Sequence, residues 1–228
     1  MKKVIVLSLG GSLIIPDNVD TKFLKQFKKI ILKNSRKHKL LIGCGGGSIA
    51  RKYISALRKE GLDVKHQSMA GISATRMNAR FMSYFFDIDP KHGIPHDKNT
   101  LKKYSKTQDV VFFGALKYKP KQTSDSTAAE IARQHKTIFI NLTNVKGLYD
   151  KDPKKHKNAK LIQEISWKDF DKMANASKYT PGQHFVLDQT ASKIILDNKI
   201  STYIIGPDLK QLENVLKGKK FEGTLVRG

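Results

Sequence analysis

Five short apolar runs, most of them closed by glycine or a small polar residue, set the strongest limit on how this chain folds. They are residues 4–7, 40–42, 110–113, 137–142 and 203–205. The first, second and third end in Gly10-Gly11, Gly43-Cys44-Gly45-Gly46-Gly47 and Gly114. Such compact runs without polar alternation read as strands covered on both faces. The segments between them repeat apolar residues at helical spacing. Asp20 can cap a helix carrying Phe23, Leu24, Phe27, Ile30 and Ile31 on one face. Ser48 can cap one carrying Ile49, Tyr53, Ile54 and Leu57. Residues 70–86, a stretch opened by Ser124-Asp125, and residues 188–196 continue the pattern. Strands alternating with amphipathic helices predict an α/β chain with a mostly parallel central sheet.

In such sheets ligands bind beyond the carboxyl ends of the strands, so chemistry is sought in the loops that follow them. Gly10-Gly11-Ser12 and Gly45-Gly46-Gly47-Ser48 are two of these loops. Glycine lets a backbone approach a ligand closely, and free amides at a helix start bind anions. Two such loops on neighbouring strand ends suit two phosphates, or a phosphoryl group passing between them. Either loop alone reads equally well as a tight turn. Arg51 follows the second loop by one turn, where a guanidinium fork can clamp phosphate. A third loop leads into Thr123-Ser124-Asp125-Ser126-Thr127, whose hydroxyls and amides suit an anion and whose aspartate suits Mg²⁺. Thr127 with Glu130 is the expected capping box there. A fourth loop, residues 143–153, offers Tyr149, Asp150 and Asp152 to a base or ribose.

Several classes fall away. There is no G-x-x-x-x-G-K-[ST], and the second glycine loop lacks the last glycine of G-x-G-x-x-G. None of the seven histidines stands in zinc-ligand spacing, so no protein-held metal centre is expected. The single cysteine, Cys44, excludes an internal disulfide and reads as a small buried residue. No run of 18 apolar residues exists to span a membrane, and the basic, apolar start reads as a strand rather than a signal peptide. The net charge of +23 raises a polyanionic partner. Lysine is spread along the chain, although residues 98–121 hold seven lysines and residues 151–160 five. Aromatics lie in apolar runs rather than in a basic stripe, which argues against nucleic acid.

The four loops together resemble the amino acid kinase superfamily, and most closely its archaeal-type uridylate (UMP) kinases. The resemblance runs along nearly the whole chain. It rests on Gly10-Gly11-Ser12, residues 45–53, Gly71 with Thr75-Arg76 and Asn78-Ala79, Thr123-Ser124-Asp125, residues 143–149 with Asp152-Pro153, Asp188 with Ala191, and Gly223-Thr224. It implies a three-layer αβα sandwich forming one domain over residues 1–228, with an acceptor part near 1–135 and an ATP part near 136–228. It implies a cytoplasmic, Mg²⁺-dependent kinase that moves the ATP γ-phosphoryl group to UMP in pyrimidine nucleotide biosynthesis, assembled as dimers or homohexamers. Gly10, Gly11, Ser12, Gly47 and Arg51 would contact ATP phosphates, and Thr143, Asn144, Tyr149 and Asp152 the adenosine side. Gly46, Ser68, Gly71 and Arg76 would receive UMP, with a segment comprising Leu116, Lys117, Tyr118, Lys119, Pro120, Lys121, Gln122, Thr123 and Ser124. Asp125, Arg51, Gly10 and Gly11 would carry the catalysis.

Three positions depart from the family pattern. Ser8 stands where many members have lysine, Ser68 where UMP kinases usually have a ribose-binding aspartate, and residues 116–122 replace a shorter glycine-containing loop. Related readings are an isopentenyl phosphate kinase, which expects a histidine after the second glycine loop, an acetylglutamate- or carbamate-type kinase, and an inactive member with a binding role.

Overall fold

The computed structural model describes residues 2–118, 123–153, 155–176 and 186–228. In chain order the elements are β1 (Lys3–Leu9), α1 (Gly11–Ile14), α2 (Thr21–Ser35), β2 (His38–Cys44), α3 (Gly47–Lys59), α4 (Val64–Phe85), α5 (Lys98–Thr107), β3 (Val110–Phe113), α6 (Ser124–Gln134), β4 (Phe139–Leu142), β5 (Glu164–Ile165), α7 (Trp167–Asn175), α8 (Gln189–Asn198), β6 (Thr202–Ile205), α9 (Leu209–Leu216) and β7 (Thr224–Val226). The strands form one sheet in the order β3-β2-β1-β4-β6-β7-β5. Every pairing is parallel except β6 with β7.

Alternate strand residues feed the two faces. Ile5, Leu7 and Leu9 of β1 join Leu40 and Ile42 of β2 beneath α2, α4 and α9. Val6 and Leu41, their neighbours, join Phe113 and Phe139 beneath α6, α7 and α8. The sheet is therefore the middle of three layers, as expected. Both faces are apolar because both are covered. Asp20 accepts the Phe23 amide at 2.9 Å and starts α2, whose Leu24, Phe27 and Ile31 are fully buried.

Several local expectations shift. Helix α4 begins at Val64 rather than near residue 70, because Asp63 caps it by accepting the His66 amide at 2.9 Å. Ser48 does not cap α3. The cap position is Gly46, without a side-chain bond, and the buried Ser48 hydroxyl has no partner among the described residues. The α6 capping box is Thr123 with Ser126, not Thr127 with Glu130. Glu130 instead pairs with Lys98 at 3.0 Å and Arg133 at 2.8 Å. Thr137 lies before β4 rather than in it, and its hydroxyl donates to the Val4 carbonyl. The lysine-dense stretch at 98–107 is a helix, α5, anchored by buried Leu101.

The chain builds β1, β2 and β3 toward one edge and then returns to place β4 on the other side of β1. That reversal opens a crevice at the carboxyl ends of β1 and β4. Gly10 bridges it, donating its amide to the Leu142 carbonyl at 2.8 Å.

Candidate active site

A cleft of about 1080 Å³ lies at this switch point. Both glycine loops line it, and they interlock. A Cβ on Gly11 would lie 2.0 Å from the Gly47 amide nitrogen, and Gly47 itself has φ +63°. Only backbone fits at this crossing, so the loops line the cleft with main chain rather than side chains. Residues Gly47–Lys59 of α3 then project the helix start, with its partial positive charge, into the same space.

The opposite wall comes from the starts of α6 and α8. Asp188 caps α8 by accepting the Ala191 amide at 2.9 Å. The same carboxylate accepts the Thr123 hydroxyl at 2.5 Å and the Ser126 amide at 3.1 Å. It thus ties two helix N-termini together. Asp125 accepts the Ser8 hydroxyl at 2.5 Å, and Ser8 is fully buried at the end of β1.

These two carboxylates titrate differently. Burial pushes Asp125 up to about 7, with the Asp188 charge adding to the effect and the Ser8 hydroxyl opposing it. Burial also raises Asp188, against the Thr123 hydroxyl and the Ala191, Ser126 and Thr190 amides. Asp188 has several donors and Asp125 has one. A proton therefore belongs on Asp125 before Asp188. A cation brought to Asp125 would displace that proton.

The donor set suits Mg²⁺ that arrives with a nucleotide. Asp125 lines the same cleft as the two glycine loops, and Mg²⁺ is commonly held by one or two carboxylates plus substrate phosphates. No group of three or more His, Cys, Asp or Glu side chains among the described residues could hold a metal unaided.

Most of the expected site residues meet in the cleft. Gly10, Gly11, Ser12, Gly46, Gly47, Arg51, Ser68, Gly71, Lys117, Thr123, Ser124, Asp125, Thr143, Asn144, Tyr149 and Asp152 all line it. Ser68 spends its hydroxyl proton on the Val64 carbonyl at 2.7 Å, leaving it as an acceptor toward the cleft. Arg76, Leu116 and Tyr118 do not line it. Arg76 turns away to the Ala115 and Leu116 carbonyls, and Leu116 is buried in the core. Lys119, Pro120, Lys121 and Gln122 lie outside the described residues. Cys44 is fully buried, and burial raises its thiol pKa, in keeping with a packing role.

Sequence reasoning gave no role to Asp188, Asn141, Lys151 or Lys155, which also line the cleft. Asp188 with Ala191 already belonged to the family resemblance, without a role attached to it. Lys151 and Lys155 were hidden among ordinary lysines.

The amino acid kinase family model matches residues 3–206. The chain is 34% identical to the uridylate kinase of Thermoplasma volcanium over 231 residues, covering 99% of this chain and 98% of the relative. It is 32% identical to the uridylate kinase of Thermococcus kodakarensis over 224 residues, covering 97% of this chain and 98% of the relative. The crystal structure of uridylate kinase from Archaeoglobus fulgidus superposes with a TM-score of 0.82 at 32% identity, covering 98% of this chain and 99% of that one. The UMP kinase of Ureaplasma parvum, 24% identical with a TM-score of 0.77, shares the fold. With interlocked glycine loops at the switch point of a parallel sheet and a match that spans nearly its full length, the chain belongs to the amino acid kinase family.

Proposed function

We propose that this protein is a UMP kinase, transferring the γ-phosphoryl group of MgATP to UMP to give UDP and ADP. The observation that carries the reading is the cleft itself. Two interlocked glycine loops, one helix start behind them and two more opposite, surround a space large enough for two nucleotides. The full-length similarity to uridylate kinases supports UMP as acceptor.

A UMP phosphate oxygen attacks the γ-phosphorus. The new P–O bond forms as the bond to the bridging oxygen of ADP breaks, and that oxygen leaves with the electron pair. No protein nucleophile is needed, so the chain's work is positioning and charge neutralisation. Gly11, Ser12 and Gly47 would present donors to the ATP phosphates, Gly10 would let the main chain approach them closely, and Arg51 would add a guanidinium fork. Thr143, Asn144, Tyr149 and Asp152 would hold adenosine. Gly46, Ser68, Gly71, Lys117, Thr123 and Ser124 would receive UMP. Magnesium would neutralise phosphate charge next to Asp125. The acceptor would then lie mainly against residues 1–135 and adenosine against residues 136–228, with the ATP phosphates at the glycine loops between them.

A cytoplasmic enzyme of pyrimidine nucleotide biosynthesis fits this chemistry, and no helix among the described residues is long and apolar enough to cross a membrane. Self-association as a dimer or hexamer has its own support. Of eight exposed large hydrophobics among the described residues, six fall between residues 53 and 84: Tyr53, Leu62, Val64, Met69, Met77 and Tyr84. Tyr53 on α3 and Val64, Met69, Met77 and Tyr84 on α4 would supply apolar surface for such an interface. Met77→Glu should lower the mass seen by light scattering coupled to gel filtration. An unchanged mass would place any interface elsewhere.

The activity is tested by coupled ADP release with MgATP across UMP, CMP, dUMP, AMP and isopentenyl phosphate. UMP should give the highest kcat/KM. Equal or better turnover of another acceptor would overturn the assignment. Arg51→Ala should lower kcat/KM for UMP by about tenfold or more, the range for losing one charge-stabilising donor.

A further inference from the structure

Helix α4 carries polar side chains on the face that meets the sheet ends. Thr75 and Asn78 are buried there. Thr75 Oγ1 accepts the Ala115 amide at 3.0 Å, and Asn78 Nδ2 donates to the Gly45 carbonyl at 2.7 Å. Between them, Arg76 donates from Nε to the Ala115 carbonyl at 2.9 Å and from Nη2 to the Leu116 carbonyl at 3.1 Å. A Cβ on Gly114 would lie 2.6 Å from the Arg76 nitrogen, so the strand exit runs directly against the helix backbone.

Arg76 forms no ion pair with a carboxylate among the described residues. Its planar fork instead spans two consecutive carbonyls. That fixes the course of the chain at Leu116, whose side chain is locked in the core. The next residue, Lys117, is exposed and lines the cleft. Lysine in the same place would bring a single ammonium without the planar fork that sets the geometry of both bonds.

We propose that Arg76 is a positioning residue for the acceptor: through the Ala115 and Leu116 carbonyls it aims Lys117 at the acceptor's phosphate. The inference rests on the UMP kinase reading and replaces a direct Arg76–UMP contact with an indirect one.

A double-mutant cycle separates the two. Arg76→Ala should raise KM for UMP about tenfold, with kcat and KM for ATP within about threefold, because the ATP-side loops keep their anchors. Lys117→Ala should raise KM for UMP similarly. The double variant should be no worse than the weaker single, since both remove one interaction. Multiplying effects would show that Arg76 acts independently of Lys117 and would overturn the proposal, as would an equal rise in both KM values. Arg76→Lys, which keeps charge and volume, should lie between wild type and Arg76→Ala, and carries the same cycle if the alanine variant does not fold. Hydrogen exchange adds a readout independent of turnover. Amides at 115–117 should exchange faster in Arg76→Lys while those of α6 stay unchanged, and unchanged exchange at 115–117 would refute the anchor. A wild type that does not turn over UMP would defeat the activity reading and leave this exchange result standing by itself.

Discussion

Asp125 is the residue where stability and activity pull apart. Among the described residues Ser8 is the one side chain that donates to it, and a second carboxylate, Asp188, stands nearby. The folded carboxyl titrates near 7, far above the ordinary value of 3.8. The folded state therefore binds the extra proton between about pH 4 and 7, and stability falls as pH rises through that window. Below it both states are protonated and nothing is lost. A shift of three units corresponds to ~4 kcal/mol. Part of the Asp125 surface still opens on the cleft, and solvent screening there brings the expected figure to ~2 kcal/mol. Asn mimics the protonated acid and can still accept from Ser8. Asp125→Asn should therefore stabilise the empty protein at pH 8 by ~1–2 kcal/mol and leave it unchanged near pH 4, while cutting turnover by about tenfold or more. Urea titrations at the two pH values measure this. A gap that does not widen with pH, or a less stable variant at pH 8, would show that the carboxylate is not strained. Such a cost fits a residue kept for a cation that comes with the substrate.

At the scale of elements, the glycine loops were legible because their meaning is local. A strand, two or three glycines and a helix start lie within about ten residues of one another. What was hidden joins distant parts. Ser8 and Asp125 are 117 residues apart, and Thr123 and Asp188 are 65 apart. No spacing rule connects them, and only the parallel order of β1, β2 and β4 brings them together. Strands β5 and β7, of two and three residues, are too short for periodicity to show. Helix α5 was masked by its lysines, with Leu101 as its main apolar anchor. Arg76 was recognised from its motif, but a motif does not say which way a side chain turns. The interlock of the two loops gives a test at this scale. Gly11→Ala would drive a methyl group into the Gly47 backbone, 2.0 Å away, where no flexible side chain can yield. We expect a loss of ~2–4 kcal/mol, as for severe overpacking against backbone, with turnover falling by more than the population of folded protein explains. Gly61→Ala is the control, since nothing lies within 4 Å and only its φ of +74° resists. It should cost ~1 kcal/mol and leave kinetics intact. Equal effects of both variants on turnover would mean that the interlock does not shape the phosphate site.

For the molecule as a whole, the charge of +23 sets two effects of salt against each other. Nine ion pairs join Lys or Arg to Asp or Glu among the described residues, most of them well exposed. Exposed pairs contribute ~0–1 kcal/mol each, and salt weakens them. Opposing them is the repulsion of unbalanced cations: 43 Lys and Arg stand against 20 Asp and Glu, an excess of 43 − 20 = 23 positive charges. The pairs hold their partners at 2.5–3.0 Å, well inside any screening length, whereas the surplus lysines repel across the surface. Raising salt from 10 mM to 150 mM shortens the Debye length from ~30 Å to ~8 Å. That removes the long-range repulsion and leaves contact pairs mostly intact, so repulsion is the term that changes. The midpoint of thermal unfolding should rise by a few degrees over this range in NaCl. The same screening should lower kcat/KM for UMP and ATP, because the positive field that strains the fold also draws anionic nucleotides in, while kcat stays level. Chloride is the right anion, since phosphate or sulfate would compete for the glycine loops. A midpoint that falls with NaCl would mean that the ion pairs outweigh the surplus charge. Opposite responses of stability and kcat/KM would tie the excess lysine to the arrival of substrate rather than to holding the fold.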